Sequence, residues 1–288
     1  TQKGILDGIP CGIKDVTSTL DWPATKGSKT ATPNSPSNYE PPIIARLREA
    51  GVIFLGFTNT AEFGWKGLTE NNLYGATRNP WDIKLTPGGS SGGSAVAIAL
   101  DMCTIATASD AAGSIRIPAS FCGIFGFKPS YGLVPTFPLS SYGSLSHQGI
   151  LARTVEETAT VFNIITQPDP KGAPSEPLVK SSKNLSKLSN LNGLKIGYCL
   201  SLNSRTVDIC IAKNFSNAIK LFEENGAITS AITPQIEKSE KLIKNFWYAS
   251  LENITKKLDK NLIDPAIIAF LQDNQCVDLE KYLNCQAQ

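Results

Sequence analysis

The chain has 288 residues, 41% of them hydrophobic, and 27 Lys and Arg against 25 Asp and Glu leave a formal net charge of +2. This size and composition are typical of a globular chain that buries a large core. The balanced charge gives no reason to expect binding to nucleic acid or to an anionic membrane. The 7 cysteines are scattered, with no CxxC pair that would suggest a zinc site. We therefore expect no metal, no cofactor, reduced cysteines and a cytoplasmic location.

The first part of the chain alternates between predicted strands and helices. Strands are predicted at residues 9–14, 52–56 and 103–108, the second of them buried. Helices are predicted at residues 42–50, 94–100 and 154–165, with Gly51 ending the first and Thr154 capping the last. This alternation predicts an α/β fold with a mixed β-sheet core flanked by helices.

The later part of the chain follows a polar segment. Residues 167–193 are rich in Pro, Ser, Lys and Asn, which predicts a surface linker. Beyond it we expect strands at 194–199 and 227–232 with an amphipathic helix between them at 208–225, and then helical segments at 238–257 and 265–283.

Three short strings carry the candidate chemistry. Lys14 ends G-I-P-C-G-I-K, Ser90 lies in G-G-S-S-G-G-S at residues 88–94, and Ser114 lies in S-D-A-A-G-S-I-R at residues 109–116. Two glycine-framed serines and a lysine can supply a nucleophile, a proton relay and a base. The chain has 1 histidine, so a Ser-His-Asp machine has almost no material to work with.

Lys14 can act as a base only in its neutral form. Its reference pKa of about 10.4 must fall by about 3 units, and burial is the usual cause of such a change. The apolar segment before Lys14 predicts a buried strand, so we expect Lys14 to be buried within hydrogen-bond reach of Ser90. The alternative is an ordinary ion pair between Lys14 and the adjacent Asp15.

Residues 88–94 have two alternative interpretations. A flexible Gly/Ser linker is one, but the string runs directly into A-V-A-I-A-L, which favours a turn at the start of a helix. A phosphate-binding loop is the other, and the string lacks the Gly-Lys-Ser/Thr ending that such a loop requires.

Together with N-P-W-D at 79–82, F-K-P-S-Y-G at 127–132 and G-I-L-A-R-T-V at 149–155, these strings resemble the amidase signature family of serine amide hydrolases. The resemblance is continuous from about residue 7 to about residue 165 and is loose afterwards. It implies one amidase signature domain over 1–288, with the catalytic core at 1–166 and a second α/β part at 194–288 whose helical insertion walls the substrate pocket. Because the chain starts at Thr1 rather than Met, and the family has further elements at both ends, we expect an internal fragment, incomplete at both ends. A signal peptide on the intact protein stays an open alternative.

The resemblance implies a role for each site residue. Ser114 is then the nucleophile, Ser90 the bridging serine that follows a cis peptide bond, and Lys14 the base. The oxyanion hole would consist of the backbone N–H groups of Ala111, Ala112, Gly113 and Ser114. Ser91, Asp110 and Arg116 would support the loops, with a purely structural ion pair as the alternative for the last two.

Several positions depart from the family pattern. Many members have glycine where Ala112 stands, which matters if the backbone there is left-handed, and threonine is common where Ser109 stands. Ser146 replaces an acidic residue. His147 we expect to be a hydrogen-bonded loop residue without a catalytic role.

The implied function is hydrolysis of a carboxylic amide to a carboxylate plus ammonia or an amine, through a serine acyl-enzyme. The alternatives are a glutamine-hydrolysing component of an amidotransferase for tRNA charging and a non-catalytic amide-binding relative. Such amidotransferase components typically carry glutamine where Ile117 stands, which favours a general amidase. A fatty-acid-amide enzyme would usually add a membrane-binding segment, and none is evident. The expected partner is a small-molecule amide, with no direct contact to nucleic acid or membrane; a homodimer is left open, and which amide is bound is not readable.

Overall fold

The structure, a computed structural model, describes residues 4–31, 35–172, 190–202, 205–234, 239–273 and 277–286. The strands in this part of the chain are β1 (Pro10–Lys14), β2 (Ile53–Thr58), β3 (Glu70–Asn71), β4 (Gly75–Ala76), β5 (Ile105–Asp110), β6 (Phe125–Phe127), β7 (His147–Ala152), β8 (Lys195–Tyr198) and β9 (Ile228–Ala231). The α-helices are α1 (Pro42–Glu49), α2 (Gly92–Ala99), α3 (Arg116–Cys122), α4 (Val155–Ile165), α5 (Ile209–Glu224), α6 (Ser239–Thr255), α7 (Pro265–Asp273) and α8 (Leu279–Gln286).

A five-stranded mixed sheet in the order β2-β1-β5-β7-β6 forms the centre of the first part of the chain. β1 runs parallel to both β2 and β5, whereas β7 runs antiparallel to β5 and to β6. Helices pack on both faces. Ile43, Ile44 and Leu47 of α1 share one core cluster with Ile13 and Val161, and α2 and α3 contribute to a second cluster. The predicted mixed α/β fold is confirmed.

Most predicted elements are confirmed with ends that move by one or two residues. Thr154 caps α4 through a complete capping box with Glu157. Strand β2 differs from its prediction, because it lies at the sheet edge and leaves Ile53 and Leu55 53% and 55% exposed. Strands β6 and β7 were not predicted, since their short or Gly-containing sequences lack a clear alternation. The helical segment at 265–283 contains two helices, α7 and α8.

The chain divides into two compact units, one of Thr1–Lys183 with Asn245–Gln288 and one of Asn184–Lys244. The second unit contains the parallel pair β8–β9 and helix α5, which Asp208 caps by accepting a hydrogen bond from the Cys210 N–H. Residues 173–189 of the predicted linker lie outside the described residues. Among the residues that the structure describes, no helix is long and apolar enough to cross a membrane.

Candidate active site

The ends of two parallel strands bring the base and the nucleophile loop together. Lys14 is the last residue of β1 and Asp110 the last of β5, and the two strands are neighbours in the sheet. Parallel neighbours end at the same sheet edge, which is where ligands bind in open α/β sheets. The Lys14 N–H donates to Thr107 Oγ1 at 2.9 Å and fixes this junction.

The Lys14 side chain is fully buried at this edge. Its Nζ donates to Ser90 Oγ at 2.8 Å and to Ser109 Oγ at 2.9 Å, so the predicted burial and reach are confirmed. Burial lowers the pKa of Lys14 to about 7, and the negative charge of Asp110 opposes part of that change. A lysine with this pKa exists in both protonation states near neutral pH, as a base must.

Asp15 does not pair with Lys14, so the ion-pair alternative is wrong. Its carboxylate accepts hydrogen bonds from the Thr25 N–H at 2.8 Å and the Gly27 N–H at 3.2 Å, and a further one from the Thr25 hydroxyl. Within the described residues, no carboxylate lies at ion-pair distance from Lys14. The two adjacent side chains therefore serve different structures.

Close packing explains the glycines before Ser90. A Cβ at Gly89 would lie 2.5 Å from the backbone of Leu68, and Gly88 has a left-handed φ of 77°. Thr69 Oγ1 donates to Gly88 O and accepts from Gly92 N–H, both at 2.8 Å, and so bridges the turn. The Gly89–Ser90 peptide is cis, as predicted. The string is a turn that leads into α2, and the linker interpretation is wrong.

Asp110 organises the nucleophile loop. Its side chain is fully buried and accepts from Arg116 Nε at 2.9 Å and Nη2 at 3.0 Å, and from the N–H groups of Gly113 at 2.7 Å and Ile115 at 3.2 Å. Burial would raise the pKa of Asp110, but the bonds from Arg116 and the backbone outweigh it and hold the pKa below its usual value. A permanently charged carboxylate therefore folds the loop around Ser114.

This geometry corrects one member of the predicted oxyanion hole. The Gly113 N–H is committed to Asp110, so it is not available to a substrate oxygen. The N–H groups of Ala111, Ala112 and Ser114 have no acceptor among the described residues. Gly113 has a φ of 118°, whereas Ala112 is not among the described residues with positive φ, so alanine fits there without strain.

Ser91 connects the two loops. Its N–H donates to Ser114 O at 3.3 Å, and its Oγ donates to Ser109 O at 3.3 Å. These contacts hold Ser114 beside the turn that carries Ser90. Ser90, Ser109, Ala111 and Ser114 all line one cavity of about 210 Å³.

Other parts of the same unit complete the cavity. Its further walls come from residues 16–18, Lys26, Tyr39, the turn at Phe63 and Gly64, residues 135–142 and Ile254 of α6. The volume is below the roughly 300–1,000 Å³ of drug-sized sites, which favours a small substrate. The wall at Ile254 matches the expectation that the later helices border the pocket.

Sequence reasoning missed two polar residues of the site. Ser109 accepts from Lys14 Nζ, although from its sequence position it looked only like a small change from threonine. Thr69 bridges the Ser90 turn from 19 residues away, by its bond to Gly88. No local pattern marks Thr69, because the contact exists only once the chain is folded.

His147 is the first residue of β7 rather than a loop residue. Its Nδ1 lies 2.8 Å from Leu145 O and 3.1 Å from Asp110 O. Both partners are carbonyl oxygens, so Nδ1 carries the proton and donates. His147 does not line the cavity, which agrees with the expectation of a structural role.

Ile117 packs behind the two loops. A Cβ at Gly88 would lie 2.8 Å from Ile117 Cγ2, and one at Gly113 would lie 2.7 Å from its Cδ1. Ile117 is not among the residues that line the cavity. It therefore has no direct contact through which to select an amide, and its identity is weak evidence on the substrate.

Comparison with known proteins agrees with this site. The family model described as Amidase matches residues 1–285. One relative, the first of the glutamyl-tRNA(Gln) amidotransferase polypeptides (the A component) of Rippkaea orientalis, is 42% identical over 233 residues, 81% of this chain and 48% of the relative. The corresponding polypeptide of Carboxydothermus hydrogenoformans is 40% identical over 238 residues, with the same coverage of both chains. The chain thus spans about half the length of the curated relatives it matches.

Solved structures share the fold. A bacterial aryl acylamidase of the amidase signature family superposes with a TM-score of 0.85 at 26% identity, over 99% of this chain and 62% of that one. The A component of the Thermotoga maritima glutamyl-tRNA(Gln) amidotransferase gives 0.78 at 29% identity, over 100% and 62%. With the family model matched along nearly its whole length, the chain belongs to the amidase signature family.

Proposed function

We propose that the protein hydrolyses a small carboxylic amide through an acyl-enzyme on Ser114. The observation that carries this proposal is the 2.8 Å contact between the buried Lys14 Nζ and Ser90 Oγ, in a cavity that Ser114 also lines. The substrate is a small-molecule amide, and we propose the cytoplasm as its compartment, in line with the buried free thiols of Cys11, Cys103 and Cys122.

In the first step, neutral Lys14 takes the Ser90 proton while Ser90 takes that of Ser114. The Ser114 oxygen forms a bond to the amide carbon, and the N–H groups of Ala111, Ala112 and Ser114 stabilise the oxyanion. The C–N bond then breaks, and the proton held on Lys14 returns through Ser90 to the leaving nitrogen. Water attacks the resulting ester by the same relay and releases the carboxylate.

Ser109 and Asp110 assist this proton movement from fixed positions. Ser109 Oγ and, at 3.5 Å, Ser109 O accept from Lys14 Nζ, so the remaining direction of the amine faces Ser90. The Asp110 charge favours the ammonium form, which keeps the pKa of Lys14 from falling further. Arg116 leaves Asp110 charged, so the carboxylate itself does not exchange a proton.

A fluorophosphonate label tests the nucleophile. We expect one labelled peptide, containing Ser114, in the full-length natural protein, and loss of both label and ammonia release in Ser114→Ala. Ser120→Ala is the matched control, because Ser120 is an exposed serine of α3 six residues further on. Label at another serine, or full activity in Ser114→Ala, contradicts the assignment.

The glutamyl-tRNA(Gln) amidotransferase relatives favour a second candidate, in which glutamine is the amide and the protein works within a larger complex. Ile117 does not decide between the candidates, since it lies outside the cavity lining. Comparing ammonia release from glutamine and from butyramide separates them. A preference for glutamine of more than about a hundredfold favours the amidotransferase candidate, and comparable rates favour a general amidase.

A further inference from the structure

The cavity beside Ser114 is lined by polar hydroxyls and apolar side chains and carries one charge. Among the described residues of its lining, Lys26 alone has a charged side chain. Lys26 is exposed, and no ion pair or side-chain hydrogen bond joins it to another described residue. Arg48 and Lys66 of the same unit, in contrast, are each paired with carboxylates.

The backbone on either side of Lys26 is held in place. The Thr25 and Gly27 N–H groups both donate to the buried carboxylate of Asp15. Lys26 O accepts from the Phe63 N–H at 2.8 Å. The lysine is thus presented to the cavity by a segment with fixed hydrogen bonds on both sides, rather than by a free loop.

The conformation at Lys26 is one that side-chain-bearing residues rarely adopt. Three described residues other than glycine have positive φ, and two of them, Lys26 at 57° and Phe63 at 53°, line this cavity. Ser28, two residues after Lys26, donates to the buried Glu62, which ties the same two turns together a second time. Left-handed residues held by surrounding structure are concentrated at ligand sites.

We propose that Lys26 binds a carboxylate of the substrate, so that the preferred substrates are small amides that carry a carboxylate besides the amide that is cleaved. An unpaired ammonium in a cavity without acidic side chains attracts an anion and repels a cation, and a charge-assisted hydrogen bond then orients the ligand. This inference rests on the proposed function for the amide end of the substrate, and on Lys26 alone for the anionic end.

A matched pair of amides tests it. Succinamate and butyramide have the same chain length, and only succinamate carries a carboxylate. We measure ammonia release by the full-length protein and compare kcat/KM for the two amides. We expect a preference for succinamate that falls about tenfold to a hundredfold in Lys26→Met, because a hydrogen bond to a charged group is lost.

Two variants control for local structure. Lys26→Arg keeps the charge and retains most of the preference. Lys29→Met removes an exposed lysine of the same segment that does not line the cavity, and leaves the preference unchanged. Equal loss on both amides in Lys26→Met, or no preference in the unmodified protein, overturns the inference.

Calorimetry with Ser114→Ala separates this inference from the proposed hydrolysis. We expect succinamate to bind this variant about tenfold or more tightly than it binds Ser114→Ala with Lys26→Met. Binding that depends on Lys26 without any hydrolysis by the unmodified protein supports the anion site and contradicts the proposed function. Hydrolysis with binding that ignores Lys26 does the reverse.

Discussion

Two buried charged groups lie next to one another at the end of the sheet and are treated in opposite ways. Lys14 has hydroxyl partners but no carboxylate within ion-pair distance among the described residues, and burial brings its pKa to about 7. Asp110 has Arg116 and backbone N–H groups as partners, and its pKa lies below the usual value. The difference shows that burial makes a group able to titrate near neutrality only when its counter-charge is withheld.

Removal of the Lys14 amine is the strongest test of this comparison. Lys14→Met keeps the length of the side chain and deletes the base, so we expect kcat/KM to fall about 10³-fold. In the unmodified protein kcat/KM rises with pH through about 7, because the active form is the neutral amine. That rise disappears in Lys14→Met, as measured by ammonia release from pH 5.5 to 9.

Lys128→Met is the control for that experiment. Burial also lowers the pKa of Lys128, and its ammonium donates to Pro129 O, but it does not line the cavity. We expect the rise near pH 7 to persist in this variant. Persistence of the rise in Lys14→Met itself contradicts the assignment of the base.

Asp110→Asn tests the fixed charge. The amide keeps the shape but donates where the carboxylate accepted, so the bonds from Gly113 and Arg116 are disturbed and Ser114 moves. We expect kcat/KM to fall about 10²-fold, the effect of a misplacement of about 1 Å, and the free energy of unfolding to fall by about 1–3 kcal/mol. Glu157→Gln disturbs a carboxylate that caps α4 away from the cavity, and it serves as the control.

The pH dependence of stability compares the folded and unfolded states of Lys14. Its pKa is about 7 when folded and about 10.5 when unfolded, so between these values the unfolded state binds more protons and stability rises with pH. From pH 6 to pH 8 this group contributes a gain of about 1.4 kcal/mol. The gain is absent in Lys14→Met, as chemical denaturation at both pH values measures; equal pH dependence in both proteins contradicts the buried, titrating lysine.

Ser109 is expected to give the smallest effect. Ser109→Ala removes an acceptor of Lys14 Nζ, so we expect kcat/KM to fall about threefold to tenfold. The hydroxyl accepts more strongly from the ammonium than from the amine, so its loss also lowers the pH at which the rate rises. Ser109→Thr restores the hydroxyl and both values. An unchanged profile in Ser109→Ala shows that Ser109 does not orient the base.

The sequence alone determined the alternation of strands and helices and the identities of Lys14, Ser90 and Ser114. Strand and helix periods are local properties, so β1, α1, α4 and α5 could be predicted to within about two residues. The glycine-framed strings were readable for a similar reason. A tight turn beside a helix demands particular residues at consecutive positions.

Tertiary structure decided which groups face each other. Only the parallel pairing of β1 with β5 brings Ser109 to Lys14, and only the loop at Thr25 takes Asp15 away from it. The commitment of the Gly113 N–H to Asp110 and the presence of Lys26 in the cavity are likewise contacts between segments. Such contacts depend on burial and distance, which no local pattern encodes, because a pKa or a free hydrogen-bond donor is set by neighbours that are remote in the chain.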